Sequence, residues 1–524
     1  MVAVERQLGA SEGHELQIAL DRPLPRALPV GAATAVFCAG SCFHRHQRIR
    51  DLAILVDGIR HQPAAQRMPR LDRFRELHTT FPPGRGTVAT RDPDSPQDPE
   101  LRSYRSGFWA TVPIGRREHP GTLDLTLEAR LADGAMQRAA LGTIEIVERP
   151  TPPFYDNLPN AAGQPLIAIC MASFNSDIEL FRVQIESIRA QSYPNWICLI
   201  SDDCSEDERF EAIGEAVEGD ARFRLSRAER HLGFYRNFER ALTLVPRDAE
   251  LVALSDHDDR WYPDKLEALA NAIGSAHLAF SDVRRVDTDG RVRAETLWEG
   301  RRSSHDNLAS LLISNTIVGA SCMFRRKVID YALPFPDSPG WDFHDHWLAL
   351  VGLALGEVAY VDRPLYDYVQ HPRAVLGRAA WEEEPSRKVD RLGPRDRISA
   401  VLARWRSLYF FLYLQRDFHA RVLLARCADH LTARKRQALR RVAGAASSPT
   451  AFAWLAARPA RSVFGRNETL GMESFLARGI LWLLLIRVRT RRRERPGGAR
   501  DDARLPPFDP QALGNRERRW LSRA

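Results

Sequence analysis

Four short apolar runs set the frame for this chain: LIAICMA (166–172), WICLIS (196–201), ELVALS (250–255) and HLAFS (277–281). Each has the length of a strand, and amphipathic stretches separate them. After the first run, SDIE (176–179) reads as a capping box, with Ser176 as N-cap and Glu179 three residues on. The helix it opens buries Ile178, Phe181, Ile185 and Ile188. Strands alternating with helices predict a largely parallel sheet. The runs share a second property: the second ends in Asp202-Asp203, the third in Asp256 and the fourth in Asp282. Such a sheet carries carboxylates along its C-terminal edge, where open α/β sheets bind ligands.

The densest acidic knot is SDHDD (255–259). Carboxylates gathered at a strand end are costly unless a cation neutralises them. Asp256 and Asp258 stand two apart on a turn leaving a strand, so both can converge on one point. Hard oxygen ligands suit Mg²⁺ or Mn²⁺, which take the rest of their coordination from substrate phosphates. A solvated acidic turn is the plain alternative. Three carboxylate-tipped strands in one region favour the metal.

Residues 1–150 read differently. TAVFCAGSCF (34–43), LAILVDG (52–58), SGFWATVPI (106–114) and GTLDLTLEARLADG (121–134) alternate with period two, and Leu123, Leu125, Leu127 and Ala129 share one face. Asp57-Gly58 and Asp133-Gly134 mark turns, and 89–100 is a Pro/Asp-rich loop. The expectation is a small β-sandwich, with Trp109 in its core. Cys38, Cys42, His44 and His46 depart from common zinc spacings, so a structural metal there is the lesser reading. A Pro/Gly/Asn-rich linker fills 151–165 and the α/β domain 166–384. Residues 385–524 form a helical C-terminal region rich in arginine.

With 44% hydrophobic and 27% charged residues, 524 residues can build two or three cores. The net charge of +8 is modest for this length, the arginines are scattered or in the tail, and no nucleic-acid recognition motif appears. Seven scattered cysteines without a leader suggest reduced thiols in a cytoplasmic protein. No apolar stretch approaches the roughly 18–20 residues a spanning helix needs. However, Phe475, Leu476, Ile480, Leu481, Trp482, Leu484 and Leu485 precede Arg487, Arg489, Arg491, Arg492, Arg493 and Arg495. This pattern fits a peripheral anchor on an anionic, cytoplasmic membrane face, or a terminal helix docked on the protein.

The segment 165–378 resembles family-2 glycosyltransferases in four motifs that fall in order. The opening PLIAICMASFN leads through SIRAQSYPNW to DDCSED. ERHLGFYRNFERAL (229–242) is similar to an N-x-G-x-x-x-N helix, with His231 in place of the usual Asn. SDHDDRW is similar to an SDQDDVW form of the D-x-D motif. HDHWLALVGLALGEVAYVDRPLYDYVQH (344–371) resembles the stretch carrying the catalytic carboxylate in rhamnosyltransferase-like members. The resemblance implies a GT-A fold, inversion at the anomeric carbon, a divalent metal (Mg²⁺ or Mn²⁺) and a UDP- or dTDP-sugar donor. It also implies a glycan or lipid-linked acceptor, as in cell-surface polysaccharide synthesis.

Residue by residue, the resemblance places Ser173, Phe174, Asp202 and Asp203 at the base and ribose, with Arg236 and Asn237 near the donor. Asp256 falls at the ribose or metal, Asp258 is the metal ligand with Asp259 a weaker candidate, and His371 lies near the diphosphate or metal. Asp345 is the general base. Asp342, one helical turn away, could substitute for it, and His344 and His346 flank it. For Arg236, Asn237 and the three histidines a purely structural role stays open. A nucleotidyltransferase also puts aspartates on an α/β sheet, but MASFNSD (171–177) lacks the glycine-rich loop that cradles a triphosphate. A catalytically silent glycan-binding or scaffold protein is the other alternative, opposed by the intact Asp203, Asp256, Asp258 and Asp345.

Overall fold

The computed structural model describes residues 15–77, 101–156, 158–159, 163–298, 303, 305–340, 342–371 and 394–492. The loop 89–100 and the arginines at 493 and 495 lie outside them. The N-terminal strands are β1 (Leu16–Leu20), β2 (Ala27–Pro29), β3 (Thr34–His44), β4 (Ile49–Val56), β5 (Ile59–His61), β6 (Ala65–Met68), β7 (Gly107–Ile114), β8 (Gly121–Leu131) and β9 (Met136–Val147). They form two sheets, β1-β3-β7-β6 and β2-β9-β8-β4-β5. Leu123, Leu125, Leu127 and Ala129 face inward between them. Asp57 and Gly58, both at positive φ, make the tight turn between β4 and β5. Cys38 and Cys42 are free thiols inside this core, and His44 bonds Glu15. Packing accounts for the two cysteines and a hydrogen bond for His44.

Trp109 departs from expectation. It is buried, but not between the sheets. Its indole Nε1 donates to the Tyr409 hydroxyl at 3.0 Å, and its ring packs edge-on against Phe410. Period-two alternation says that one face of a strand is covered and cannot say by what. Here a C-terminal helix covers it.

The central sheet comprises β10 (Ile167–Ser173), β11 (Trp196–Asp202), β12 (Phe223–Arg227), β13 (Leu251–Ser255), β14 (Arg260–Trp261), β15 (Leu278–Asp287), β16 (Val292–Ala294), β17 (Cys322–Arg325) and β18 (Val358–Gln370). Its order is β12-β11-β10-β13-β17-β15-β18-β14, with β16 on β15. Apart from β14, β16 and β17, the strands run the same way. The sheet is thus the mixed, mostly parallel one expected of a GT-A fold, preceded by a sandwich and followed by helices. The four apolar runs are buried because helices cover both faces. The first helix, Ile178–Arg189, starts one residue later than a cap at Ser176 would require. Asp177 is the N-cap, and its carboxylate accepts from the Glu179 amide. Either side chain can accept from an amide of the first turn, so sequence alone did not separate the neighbours.

The C-terminal helices are no appendage. Helix Leu414–Arg426 packs on β3 and β7 as well as on helices of the α/β domain. The buried Arg426 guanidinium donates to the carbonyls of Ala33, Tyr331, Ala332 and Pro334, joining three segments distant in sequence. Helix Glu473–Arg492 is pinned at its start, where Glu473 accepts from Arg458 and Thr469.

Candidate active site

Register brings the acidic strand ends together. Ser173 pairs with Asp202, and Met171 with Ser255, so β10, β11 and β13 finish at one edge. Just beyond, Asn175 and Cys204 adopt positive φ (43° and 61°), a sparsely populated conformation for such residues that bends both chains sharply off the sheet.

Asp202 is fully buried. It accepts from the Ser205 amide at 2.9 Å and from the hydroxyls of Ser205 and Ser173. Asp203 accepts from the amides of Leu232 and Gly233, and His231 Nδ1 lies 3.0 Å from its carboxylate. These bonds fix the loop ahead of helix Phe234–Thr243. Phe174 is 43% exposed, and its ring stands 4.4 Å from the His231 ring. Together they make an aromatic wall beside Asp203. Asn237 bonds Ser173 and Ser201 and cross-links two strand ends from beneath. Arg236 is not brought to the carboxylates: its guanidinium is held by Glu239, Asp337 and the Phe335 carbonyl.

The Asp256–Asp259 turn is tied down from two sides. His257 Nδ1 lies 3.1 Å from the Ala172 carbonyl. Arg260 pairs with Asp367 as β14 folds back antiparallel on β18. That pairing carries the end of β18 to the turn, and His371 Nε2 comes to 2.7 Å from Oδ2 of Asp258. Asp256 and Asp258 keep part of their surface exposed, whereas Asp259 is buried and accepts from the Val369 amide. The electrostatics differ accordingly. Burial, reinforced by the Asp258 charge, pushes Asp256 up to about 7. Burial also pushes on Asp258, but His257 and His371 outweigh it and hold that carboxyl below its ordinary value. Asp259 is driven well above the carboxylate range, mainly by burial.

Behind the turn lies a group the sequence did not reveal. Lys265 is wholly buried, its Nζ 3.4 Å from the Trp261 ring centroid and 2.6 Å from the Ala320 carbonyl. Burial lowers its pKa well below that of an ordinary lysine, while Asp259 and Asp256 oppose the shift. A lysine in the first turn of an amphipathic helix reads as solvated, and only the tertiary aromatic cage reverses that.

Asp345 stands in the first turn of helix His344–Leu355. Its carboxylate accepts from the His346 amide and also interacts with the Gly319 backbone and the Asn315 side chain. Burial pushes it up to about 7, and Asp256 is close enough for its charge to add to the push. Gly319 is needed at this spot: a Cβ there would lie 2.7 Å from His344 Nε2 and 3.3 Å from the Asp345 Cβ. Asp342 is not one turn away on the same helix. It precedes the helix, whose N-cap is Phe343, and its carboxylate accepts from Ser338 and from Gln415 Nε2, with His419 Nε2 at 3.1 Å. His344 stacks on Phe238 at 3.6 Å, and burial lowers its pKa to about 3. His346 bonds the Leu311 carbonyl. Both imidazoles are packed into the protein rather than poised on Asp345.

Among the described residues, no three His, Cys, Asp or Glu side chains already form a metal-binding cluster. The Asp258–His371 pair nevertheless fits a hard divalent ion that uses one or two protein ligands and completes its shell with phosphate oxygens and water.

An α/β sheet with acidic strand ends, an aromatic wall and a further carboxyl nearby offers a ligand site at the C-terminal edge of its strands. Residues 168–332 match the family model for glycosyl transferase family 2. Over 130 residues it is 33% identical to an uncharacterized protein of Sinorhizobium fredii, covering 24% of this chain and 14% of that one. Over 118 residues it is 29% identical to the putative teichuronic acid biosynthesis glycosyltransferase TuaG of Bacillus subtilis, covering 22% and 46%. The chain thus spans less than half the length of these curated relatives. Among solved structures it is similar to S. aureus TarS in complex with UDP-GlcNAc, at 14% identity, 59% and 90% coverage and a TM-score of 0.34. It is also similar to the mannosyltransferase PcManGT from Pyrobaculum calidifontis in complex with GDP-Man and Mn²⁺, at 18% identity, 63% and 90% coverage and a TM-score of 0.31.

Proposed function

We propose that this protein is an inverting glycosyltransferase that moves a sugar from a nucleoside-diphosphate sugar to a hydroxyl of a glycan or lipid-linked acceptor. The observation that carries the reading is the division of labour between Asp258 and Asp345. Asp258 is held ionised beside His371, as a ligand must be. Asp345 titrates near 7 in a sheltered first turn, where a general base is most useful. The name of the Bacillus subtilis relative supports a polysaccharide as the product class.

In this mechanism the Phe174–His231 wall and Asp203 receive the base and ribose of a UDP- or dTDP-sugar, and Asp256 faces the ribose or the diphosphate. Asp258 and His371 would hold Mg²⁺ or Mn²⁺, which when bound supplies positive charge against the departing diphosphate. Asp345 takes the proton from the acceptor hydroxyl as its oxygen bonds to the anomeric carbon. The bond from that carbon to the diphosphate oxygen breaks in the same step, its electron pair leaving with the diphosphate. A single in-line displacement inverts the configuration.

Asp345→Asn tests the assignment. Turnover should fall about 10²–10⁴-fold, the usual contribution of a general base, with nucleotide affinity unchanged. Normal turnover in Asp345→Asn would remove the base from this position.

A further inference from the structure

Helix Glu473–Arg492 is apolar on two sides, and among the described residues only one of them is covered. Phe475, Leu476, Ile480, Leu483 and Ile486 are buried in the large core, and Gly479 lies so close to Tyr409 that a Cβ would sit 2.8 Å from its backbone. On the other side, Leu481, Leu484, Leu485 and Val488 are 36%, 40%, 44% and 48% exposed. Their spacing is that of a single helical stripe. The helix Pro394–Ser407 packs alongside and adds exposed Ile398 and Val401. An ordinary surface helix presents charges where this one presents leucine.

The charge pattern indicates the occupant. No acidic residue occurs between Glu473 and Glu494, while arginines stand at 478, 487, 489, 491, 492 and 493. Arg487 donates to the Ala64 carbonyl of the sandwich, and the sequence after Val488 continues rich in arginine. Among the described residues no helix is long and apolar enough to cross a membrane. A leucine stripe running into a cluster of arginines is the chemistry of a helix lying in the headgroup layer.

We propose that this face docks on an anionic lipid bilayer, with Leu481, Leu484, Leu485 and Val488 dipping between headgroups and the arginines past 488 contacting their negative charges. The surface is distinct from the nucleotide cleft, so the proposal stands or falls apart from the catalytic reading. Deleting the chain from Glu473 would be a poor test, because it strips six buried core side chains. Substitution of the exposed positions avoids that.

The test is flotation of the full-length protein with vesicles of phosphatidylcholine alone or with 30 mol% phosphatidylserine, a composition of about that order sufficing to attract polybasic segments. Wild type should float with the anionic vesicles and stay behind with neutral ones. Leu484→Glu/Leu485→Glu should lower the bound fraction at least about tenfold with thermal unfolding unchanged, since both side chains already meet solvent. Truncation after Thr490, which removes ten arginines and five acidic residues, should lower it at least about tenfold. Three results would overturn the proposal: equal flotation of wild type and the double variant, no flotation of wild type, or a wild-type dimer by light scattering that the double variant converts to monomer. The last would show that a second copy covers the stripe.

Discussion

His371 brings its Nε2 to 2.7 Å from Oδ2 of Asp258 across 113 residues of sequence. The contact is made because β14 reverses the Asp256–Asp259 turn onto β18, so the two ends meet wherever that antiparallel pair forms. If both side chains serve one cation, His371→Ala should raise the Mn²⁺ concentration for half-maximal donor binding by at least about tenfold, the scale of losing a supporting group at a metal site. A titration of donor binding against Mn²⁺ reads this directly. An unchanged midpoint would leave His371 as a hydrogen-bonding partner of Asp258 only.

The pH profile follows from Asp345. Its folded carboxyl titrates near 7, mainly because it is buried. Above that value it is ionised and, in the proposed mechanism, able to accept the acceptor's proton. Below it the fraction of competent base falls tenfold for each pH unit. The turnover rate should therefore climb between about pH 5 and 7 and level off above. Measuring kcat at saturating donor from pH 5 to 8.5 checks this, and a flat acidic limb would point to a base titrating near an ordinary aspartate.

Asp342 should matter to stability instead. Its carboxylate gathers Ser338, Gln415 and His419, and these partners outweigh burial to hold its pKa below the ordinary 3.8. The stability it adds is present above the unfolded value and is lost as pH falls through the lower folded value. Asp342→Ala should cost about 2–4 kcal/mol, since it strands buried donors. Urea unfolding at pH 7 measures the loss, and nucleotide affinity in the folded variant should match wild type.

Arg426 predicts how the three segments depend on one another. Arg426→Ala leaves the Ala332 and Pro334 carbonyls and the loop at Ala33 without their shared donor. A cost of about 3 kcal/mol or more is expected for orphaning several buried acceptors. If the segments are as closely joined as that guanidinium implies, unfolding followed by tryptophan fluorescence and by far-UV circular dichroism should shift together. Two separated transitions would show the sandwich unfolding independently.

The parts of the site legible in sequence were the local ones. An apolar run followed by Asp202-Asp203 or by Asp256 states both the strand and what stands at its end. The alternation in 121–131 likewise identifies an inward face that the structure buries. What stayed hidden depended on tertiary partners. Asp342 and Asp345 look equivalent until the start of the helix is known, and Phe343 as N-cap offers no side-chain signal. Lys265 looks solvated until Trp261 and Tyr366 close over it. Trp109 looks like sandwich core until Tyr409 supplies its acceptor. The terminal helix combines both alternatives for its leucines, docked on one side and bare on the other.

The central claim is that Asp258 binds and Asp345 reacts. Calorimetric titration of UDP and dTDP into wild type, Asp258→Asn and Asp345→Asn, each with Mn²⁺ and with chelator, tests it most directly. The account predicts binding of one of these nucleotides by wild type and Asp345→Asn with Mn²⁺, and a loss of at least about tenfold in Asp258→Asn or with chelator. Equal affinity with and without the cation, or an Asp258→Asn variant that binds as wild type does, would contradict it.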